Sequence, residues 1–370
     1  MPPLVLGEPR YLSNSQIEIL LECSWKHKLK YIDDVQEPTS DHLIIGSAVH
    51  KGVEAYRIAQ MENRLGDWTE NQRNRAVIDA MNNEFDTLLY NAENGIPKEG
   101  STIQPMFGVK WSAGMSAEMA RNLCKMLLQT YFYRTAESDI PGTPKVPLSM
   151  IDTPLSIEEE FMVPIPGMAN WSAKGRFDMR TSTAIVDLKT AKQKYSQPEM
   201  AKKTQPSLYS FAWLAKAGEF LPEFRYHLLV KPNRNVWSAS SRQSPPQDIN
   251  AYRAVVQRTR RDPSEILWFL DYLRRQIHQI EAGTQTQRQN ATWCEYCGVA
   301  SVCKPWLDEG TRRAPEDVLH SLRELVNSRD VNAEATPSLG LEGNDNGFSE
   351  QDSSHRQRGT RSRGSAVKER

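Results

Sequence analysis

Residues 171–191 read Trp171-Ser-Ala-Lys-Gly175-Arg-Phe-Asp178-Met-Arg180-Thr-Ser-Thr-Ala-Ile185-Val-Asp187-Leu-Lys189-Thr-Ala191. The run divides into two extended stretches, about 171–180 and 184–190, joined by a Thr-Ser-Thr turn. Side chains alternate along a strand, so Asp187 and Lys189 share one face while Val186 and Leu188 take the other. Two charges on an otherwise apolar strand are unfavourable unless they pair or bind a metal. A short antiparallel hairpin would bring Asp178 beside Asp187. Two convergent carboxylates form a hard-oxygen site suited to Mg²⁺ or Mn²⁺. A lysine alongside can position an attacking water and stabilise developing negative charge. Taken alone, Asp-x-Lys is also an ordinary ion pair on a half-exposed strand.

Working outward, residues 155–163 and 224–230 read as further strands, and a helix runs from about Pro198 to Lys216. Gln205 and Tyr209 share one face of that helix, and Lys192, Lys194, Lys202 and Lys203 give the region a local positive field. Asp262-Pro263-Ser264-Glu265 combines an N-cap, a proline at the first helical position and an acidic third residue, opening a long helix to Gly283. Upstream of residue 153 the pattern is helical. Ser13 and Gln16 have the form of a capping box, a second helix covers about Ile44–Tyr56, and residues 60–136 are mostly helix around a loop at 92–112. His50 follows Gly46-Ser47-Ala48-Val49 and is an acceptable extra ligand for Mn²⁺, although a lone helical histidine is more often structural. The expected divisions are a helical part, 1–150, a core with the cysteine segment, 151–310, and a short helix (about 315–328) with a charged tail, 311–370. The tail has too little apolar area to offset its ordering entropy.

Cys294, Cys297 and Cys303 lie within ten residues, in a loop after a helix. Three such thiols look like ligands. Cys124 sits in a Met/Leu-rich helix and reads as a small buried hydrophobe, which leaves Cys23 as the fourth donor. Four thiolates suit tetrahedral zinc or a [4Fe–4S] cluster, and spacing leaves both open. Either centre would close a long loop between residue 23 and the segment near 300. The 370 residues carry 46 Lys+Arg against 46 Asp+Glu, which excludes a globally basic nucleic-acid coat. No apolar run reaches the roughly 18 residues of a membrane helix. The first residues lack an export signal, and five cysteines are too few for a disulfide framework. A reduced, cytoplasmic protein is expected.

The ordered set Ser13-Asn14-Ser15-Gln16 with Cys23, Gly46-Ser47-Ala48-Val49-His50, Gly175-Arg176-Phe177-Asp178, Asp187-Leu188-Lys189, Gln205-x3-Tyr209 and Cys294/Cys297/Cys303 resembles the PD-(D/E)XK nucleases over about residues 11–306. Within them it is most similar to the RecB-like iron–sulfur exonucleases, which include CRISPR-associated and phage-encoded enzymes and the AddB nuclease domain. The resemblance implies an α/β fold: a restriction-endonuclease-like mixed sheet flanked by helices, with a helical N-terminal half and an iron–sulfur-stapled C-terminal segment. It implies His50, Asp178, Asp187 and the Leu188 carbonyl as ligands of Mg²⁺ or Mn²⁺, and Lys189 as the catalytic lysine. It implies Gln205 and Tyr209 as DNA contacts, and Cys23, Cys294, Cys297 and Cys303 as [4Fe–4S] ligands. The implied activity is exonucleolytic cleavage of single-stranded DNA ends in recombination, repair or replication, with recombination or phage replication proteins as partners. A non-catalytic DNA-binding adaptor of an end-processing or CRISPR adaptation complex is the alternative. The family usually has Pro after its first cysteine, where this chain has Ser24.

Overall fold

A computed structural model describes residues 10–35, 37–96, 106–221, 223–233, 245–286, 294 and 297–303. In chain order these form β1 (Arg10–Leu12), α1 (Asn14–Glu22), α2 (Ser24–Tyr31), β2 (Pro38–Ser40), α3 (Asp41–Met61), α4 (Glu70–Asn94), β3 (Met106–Lys110), α5 (Ala117–Tyr133) and β4 (Glu137–Ser138). There follow β5 (Ser156–Pro164), β6 (Trp171–Arg180), β7 (Ile185–Ala191), α6 (Gln197–Lys202), α7 (Thr204–Ala217), β8 (Phe224–Val230), β9 (Arg253–Thr259), α8 (Pro263–Glu281) and α9 (Ala300–Cys303). The described residues all fall within one compact unit, Met1–Arg312. The change near residue 150 is therefore a change of element type within that unit. Residues 313–370, with the helix expected at 315–328 and the tail, lie outside the described residues.

Seven strands make one mixed sheet in the order β1-β6-β7-β8-β9-β4, with β5 on the other edge of β6. The central pair β7/β8 is parallel, and β6/β7 and β8/β9 are antiparallel. Alternation assigns the two faces. On β8, Phe224, Tyr226, Leu228 and Val230 join the core under α1, α7 and α8, while Leu229 joins the core under α3, α4 and α5. Each fully buried side chain of this kind contributes roughly 1.5–3 kcal/mol. This is a mixed sheet between two helical layers, the α/β architecture expected. Among the described residues no helix is long and apolar enough to cross a membrane.

Local signals explain most elements. Ser13 and Asp262 both close capping boxes, with Gln16 and Glu265, and α8 buries Ile266, Leu270, Leu273, Ile277 and Ile280 along one stripe. Three expectations change. The loop at 92–112 contains β3, which pairs in parallel with β2 in a separate two-stranded sheet. The second helix starts at Asp41, capped by Ser40, and runs to Met61. The single helix at 198–216 is two, broken at Lys203. There the Arg261 guanidinium takes the carbonyls of Met200, Ala201 and Lys203, satisfying the end of α6 from a distant part of the chain.

Candidate active site

The hairpin at 171–191 forks. Met179 pairs with Val186 and Arg180 with Ile185, and the ladder stops there. Beyond the fork β7 runs with β8, and β6 turns to β5 and β1. Asp178 stands at the split and replaces the missing ladder acceptor: its Oδ2 takes the N–H of Leu188 at 3.0 Å. The opened edge is a cleft of about 30 Å³, room for an ion or a water, lined by His50, Glu54, Glu158 and Asp178 among others.

α3 delivers His50 into this cleft. Its Nε2 lies 2.5 Å from the Leu188 carbonyl oxygen, which can only accept, so Nε2 carries the proton. Nδ1 faces Asp178 Oδ2, 3.5 Å away, and on a neutral ring it presents its lone pair there. Glu158 completes the group, with one donor atom from each of His50, Glu158 and Asp178 within 4.8 Å of the others. Three acceptors facing one another repel unless a cation stands between them. The donor set therefore fits a divalent ion.

Sequence reasoning missed Glu158. It sits in a Glu158-Glu159-Glu160 run where strand alternation gives no reason to prefer one acid. The structure separates them: Glu159 pairs with Arg180 and Lys216, and Glu160 is exposed. Glu158 alone adopts φ +53°, the left-handed region unfavourable for a side-chain-bearing residue. Such a backbone persists where its surroundings over-determine it, commonly at functional sites. Burial, with Asp178 adding to it, pushes the Glu158 carboxyl up to about 7, and Arg176, its ion-pair partner, only partly offsets the rise.

Asp187 lies on the same fork and is fully buried. Lys189 Nζ approaches its two oxygens at 3.0 and 2.8 Å, so the expected shared face of Asp187 and Lys189 is observed. Gln205 Nε2 donates to Asp187 Oδ1 at 2.5 Å and lies 3.0 Å from Tyr209 Oη, whose hydroxyl donates to the Arg176 carbonyl at 2.7 Å. Burial drives the Asp187 carboxyl upward, Lys189 opposes this and Asp178 reinforces it. Burial works against the Lys189 ammonium too, yet Asp187 and Asp178 hold it above the ordinary lysine value. Gln205 and Tyr209, expected as DNA contacts, are both buried: Gln205 holds the acid and Tyr209 holds Gln205. A Cβ at Gly175 would come within 2.5 Å of the Phe161 ring, which packs edge-on to Tyr209. Gly175 thus lets β5 and β6 approach closely enough to seat the tyrosine.

A buried polar network backs the cleft. Arg57, about two turns beyond His50 on α3, donates to Tyr131 Oη at 2.6 Å and to the carbonyls of Asp152 and Leu148 at 2.6 and 2.9 Å. Asp152 in turn contacts His227 Nε2 at 2.9 Å and takes Arg225 Nη1 at 2.5 Å. Burial alone would raise the Asp152 carboxyl, but His227 and Arg225 hold it below its usual range. The network ties α3 to β8, so the His50 helix cannot drift from the sheet without leaving buried charges unpaired.

The cysteine segment is built differently. Cys23 stands in extended conformation between α1 and α2, at the end of the first helix and the start of the second. The next residues clasp the chain end of α8: Ser24 Oγ donates to Thr286 O at 3.2 Å and accepts from Thr286 N at 3.1 Å, and Gln285 Nε2 donates to Ser24 O at 3.0 Å. A proline in place of Ser24 has no hydroxyl for this exchange. Gly298 packs on Glu37, whose carboxylate also takes Lys30 at 2.6 Å. Cys23, Cys294, Cys297 and Cys303 are half-buried, Cys124 is buried, and none of the five is in a disulfide.

The PD-(D/E)XK nuclease superfamily model matches residues 11–304. The chain belongs to that superfamily, whose enzymes cleave nucleic acid with divalent metal ions. No curated protein matches the chain. Among solved structures it is similar to the crystal structure of SSO0001, with 16% identity and a TM-score of 0.25. That likeness covers 40% of this chain and 59% of the other, so the chain spans less than two thirds of that structure's length.

Proposed function

We propose that this protein is a Mg²⁺- or Mn²⁺-dependent DNA exonuclease of the RecB-like iron–sulfur branch, acting on single-stranded ends. The observation that supports it best is the acceptor-only cluster of His50, Glu158 and Asp178 at the strand fork, with the Asp187–Lys189 pair beside it. His50, Asp178, Asp187 and the Leu188 carbonyl would hold the ion, and Glu158 joins them. The ion supplies Lewis-acid stabilisation of the phosphoryl oxygens. Lys189, kept protonated by two acids, orients the attacking water and opposes the negative charge that develops at phosphorus. Gln205 and Tyr209 act through Asp187, as positioning residues that hold its Oδ1, while Lys189 lies 2.8 Å from its Oδ2. Cys23, Cys294, Cys297 and Cys303 would hold a [4Fe–4S] cluster whose role is structural, closing the loop between α2 and the segment after α8.

The test is a cleavage assay of the full chain on single strands labelled at the 5′ or the 3′ end, with Mn²⁺ or with EDTA. Stepwise release of mononucleotides from one end, abolished by EDTA, is the expected result. DNA binding with no metal-dependent release would favour the adaptor reading. Iron and acid-labile sulfide in anaerobically purified protein, about four of each per chain, test the cluster, and zinc without sulfide would replace it.

A further inference from the structure

A second pocket, of about 420 Å³, opens where β7 and β8 end side by side. Ala191 and Val230 are the last paired residues of these parallel strands, and Lys231 N–H donates to the Ala191 carbonyl at 2.9 Å. Lys192 and Lys231, the next residues of each strand, therefore stand next to one another at the pocket mouth. Among the described residues neither ammonium has a hydrogen-bond or ion-pair partner. Ile45, Met115 and Leu123 form an apolar floor, and His42, at the start of α3, stands on the wall. Asp41, the acid whose charge acts on Lys231 among the described residues, is buried and already engaged by Ser112 N and Oγ at 3.0 and 3.1 Å, with His42 Nδ1 at 3.6 Å. Burial lowers the Lys231 pKa, Asp41 opposes this and Lys192 adds to it, so a bound anion would relieve the site.

Two unpartnered lysines above an apolar floor match the two halves of a nucleotide, a charged phosphodiester and a flat, poorly hydrated base. Loops at the carboxyl ends of parallel strands are where open α/β sheets bind ligands. Lys192 lies three residues beyond Lys189, just past the end of the same strand and about 10 Å along its direction. We propose that this pocket is a nucleotide subsite for the substrate strand: Lys192 and Lys231 hold a backbone phosphate next to the scissile one, and its base rests on Ile45, Met115 and Leu123. The proposal rests on the reading of the fork as the DNA-cleaving centre.

The experiment measures binding of a fluorescent oligothymidine to the full chain in EDTA across a salt series, and its cleavage with Mn²⁺. The variants are K192A/K231A and Met115→Trp, which fills the floor without changing charge. Each lost phosphate contact on a single strand removes about 0.7 from the slope of log K against log salt. The double variant, which loses the one phosphate the two lysines share, should lower the slope by about 0.7 and raise KM with little change in kcat. Met115→Trp should weaken binding with the slope intact, and an oligonucleotide of abasic residues should bind both wild type and Met115→Trp alike. Wild-type slope, affinity and KM in both variants would overturn the subsite while leaving the nuclease reading standing. A wild-type chain that neither binds nor cut the oligonucleotide would overturn both.

Discussion

The strand fork and the cysteine clasp solve opposite problems. At the fork, charges are forced together: Glu158, Asp178 and Asp187 crowd one imidazole and one ammonium, and burial raises the carboxyl pKa values of Glu158 and Asp187. The sheet, the Arg57–Asp152–His227 network and Gln205 hold that arrangement in place. At the clasp, the contacts among the described residues include neutral hydrogen bonds between Ser24, Gln285 and Thr286. Each is worth about 1 kcal/mol net. The fork concentrates unfavourable electrostatics, while the clasp rests on neutral hydrogen bonds that the sulfur ligation proposed above would reinforce. Changes at the fork should therefore remove activity and spare stability, and changes at the clasp should do the reverse.

The sharpest break of that contrast comes from Lys189→Ala and Asp178→Asn. Each should lower the metal-dependent cleavage rate by about 10³-fold or more, the scale of losing a transition-state donor or a ligand, with a melting temperature within a few degrees of wild type. Steady-state cleavage and thermal unfolding followed by circular dichroism check it. Residual activity near wild type in Lys189→Ala would remove the lysine from the chemistry. The converse expectation is set by Cys297→Ser. If the proposed cluster is present, this variant should lose its absorbance and about 2–3 kcal/mol of stability, roughly 5–10 °C in Tm for a unit of this size, while protein that remains folded still cleaves. If activity falls with the fold intact, the two regions are coupled and the contrast fails.

Glu158→Gln tests whether the third acid belongs to the fork's chemistry. Removing one charged member of the acceptor cluster should raise the Mn²⁺ concentration for half-maximal activity by about tenfold. The neutral side chain also relieves the repulsion with Asp178, so the variant should melt no lower than wild type. An unchanged metal requirement would leave Glu158 as a partner of Arg176 alone.

What the chain reveals in advance follows from the range of each force. Alternation at 171–191 and the Asp262–Glu265 box are set by neighbours a few residues away, and the strands and α8 appear where those neighbours put them. β1 and β4, three and two residues long, exist only because β6 and β9 offer an edge, which no local pattern announces. The break at Lys203 depends on Arg261, some sixty residues away. The site divides in the same way. Asp187 and Lys189 are legible because they interrupt an apolar strand, but Glu158 is hidden in an acidic run and becomes singular only through its backbone. Gln205 and Tyr209 carry a recognisable spacing, yet their burial against Asp187 depends on the close approach of β5 and β6 at Gly175.

The smallest expected effect belongs to the clasp and concerns pH. His27 on α2 is buried, its Nδ1 is 3.3 Å from Gln285 Nε2, and its Nε2 finds no partner among the described residues. Burial pulls its pKa from 6.5 down to about 4. Above the unfolded value of about 6.5 the ring is neutral in both states, and the clasp keeps its full stability. Between there and about 4 the unfolded chain binds a proton that the folded one refuses, so stability falls as pH drops; below about 4 both states are protonated and the loss levels off. The difference amounts to about 1 kcal/mol near roughly pH 5.5. His27→Phe keeps the ring packed beside Tyr31 and removes the titration. Thermal melts of wild type and variant between pH 8 and 4.5 should diverge only below about pH 6.5, with the variant the flatter of the two. Parallel curves would show that His27 is already open to protons in the folded protein, and the clasp would then be looser than its hydrogen bonds imply.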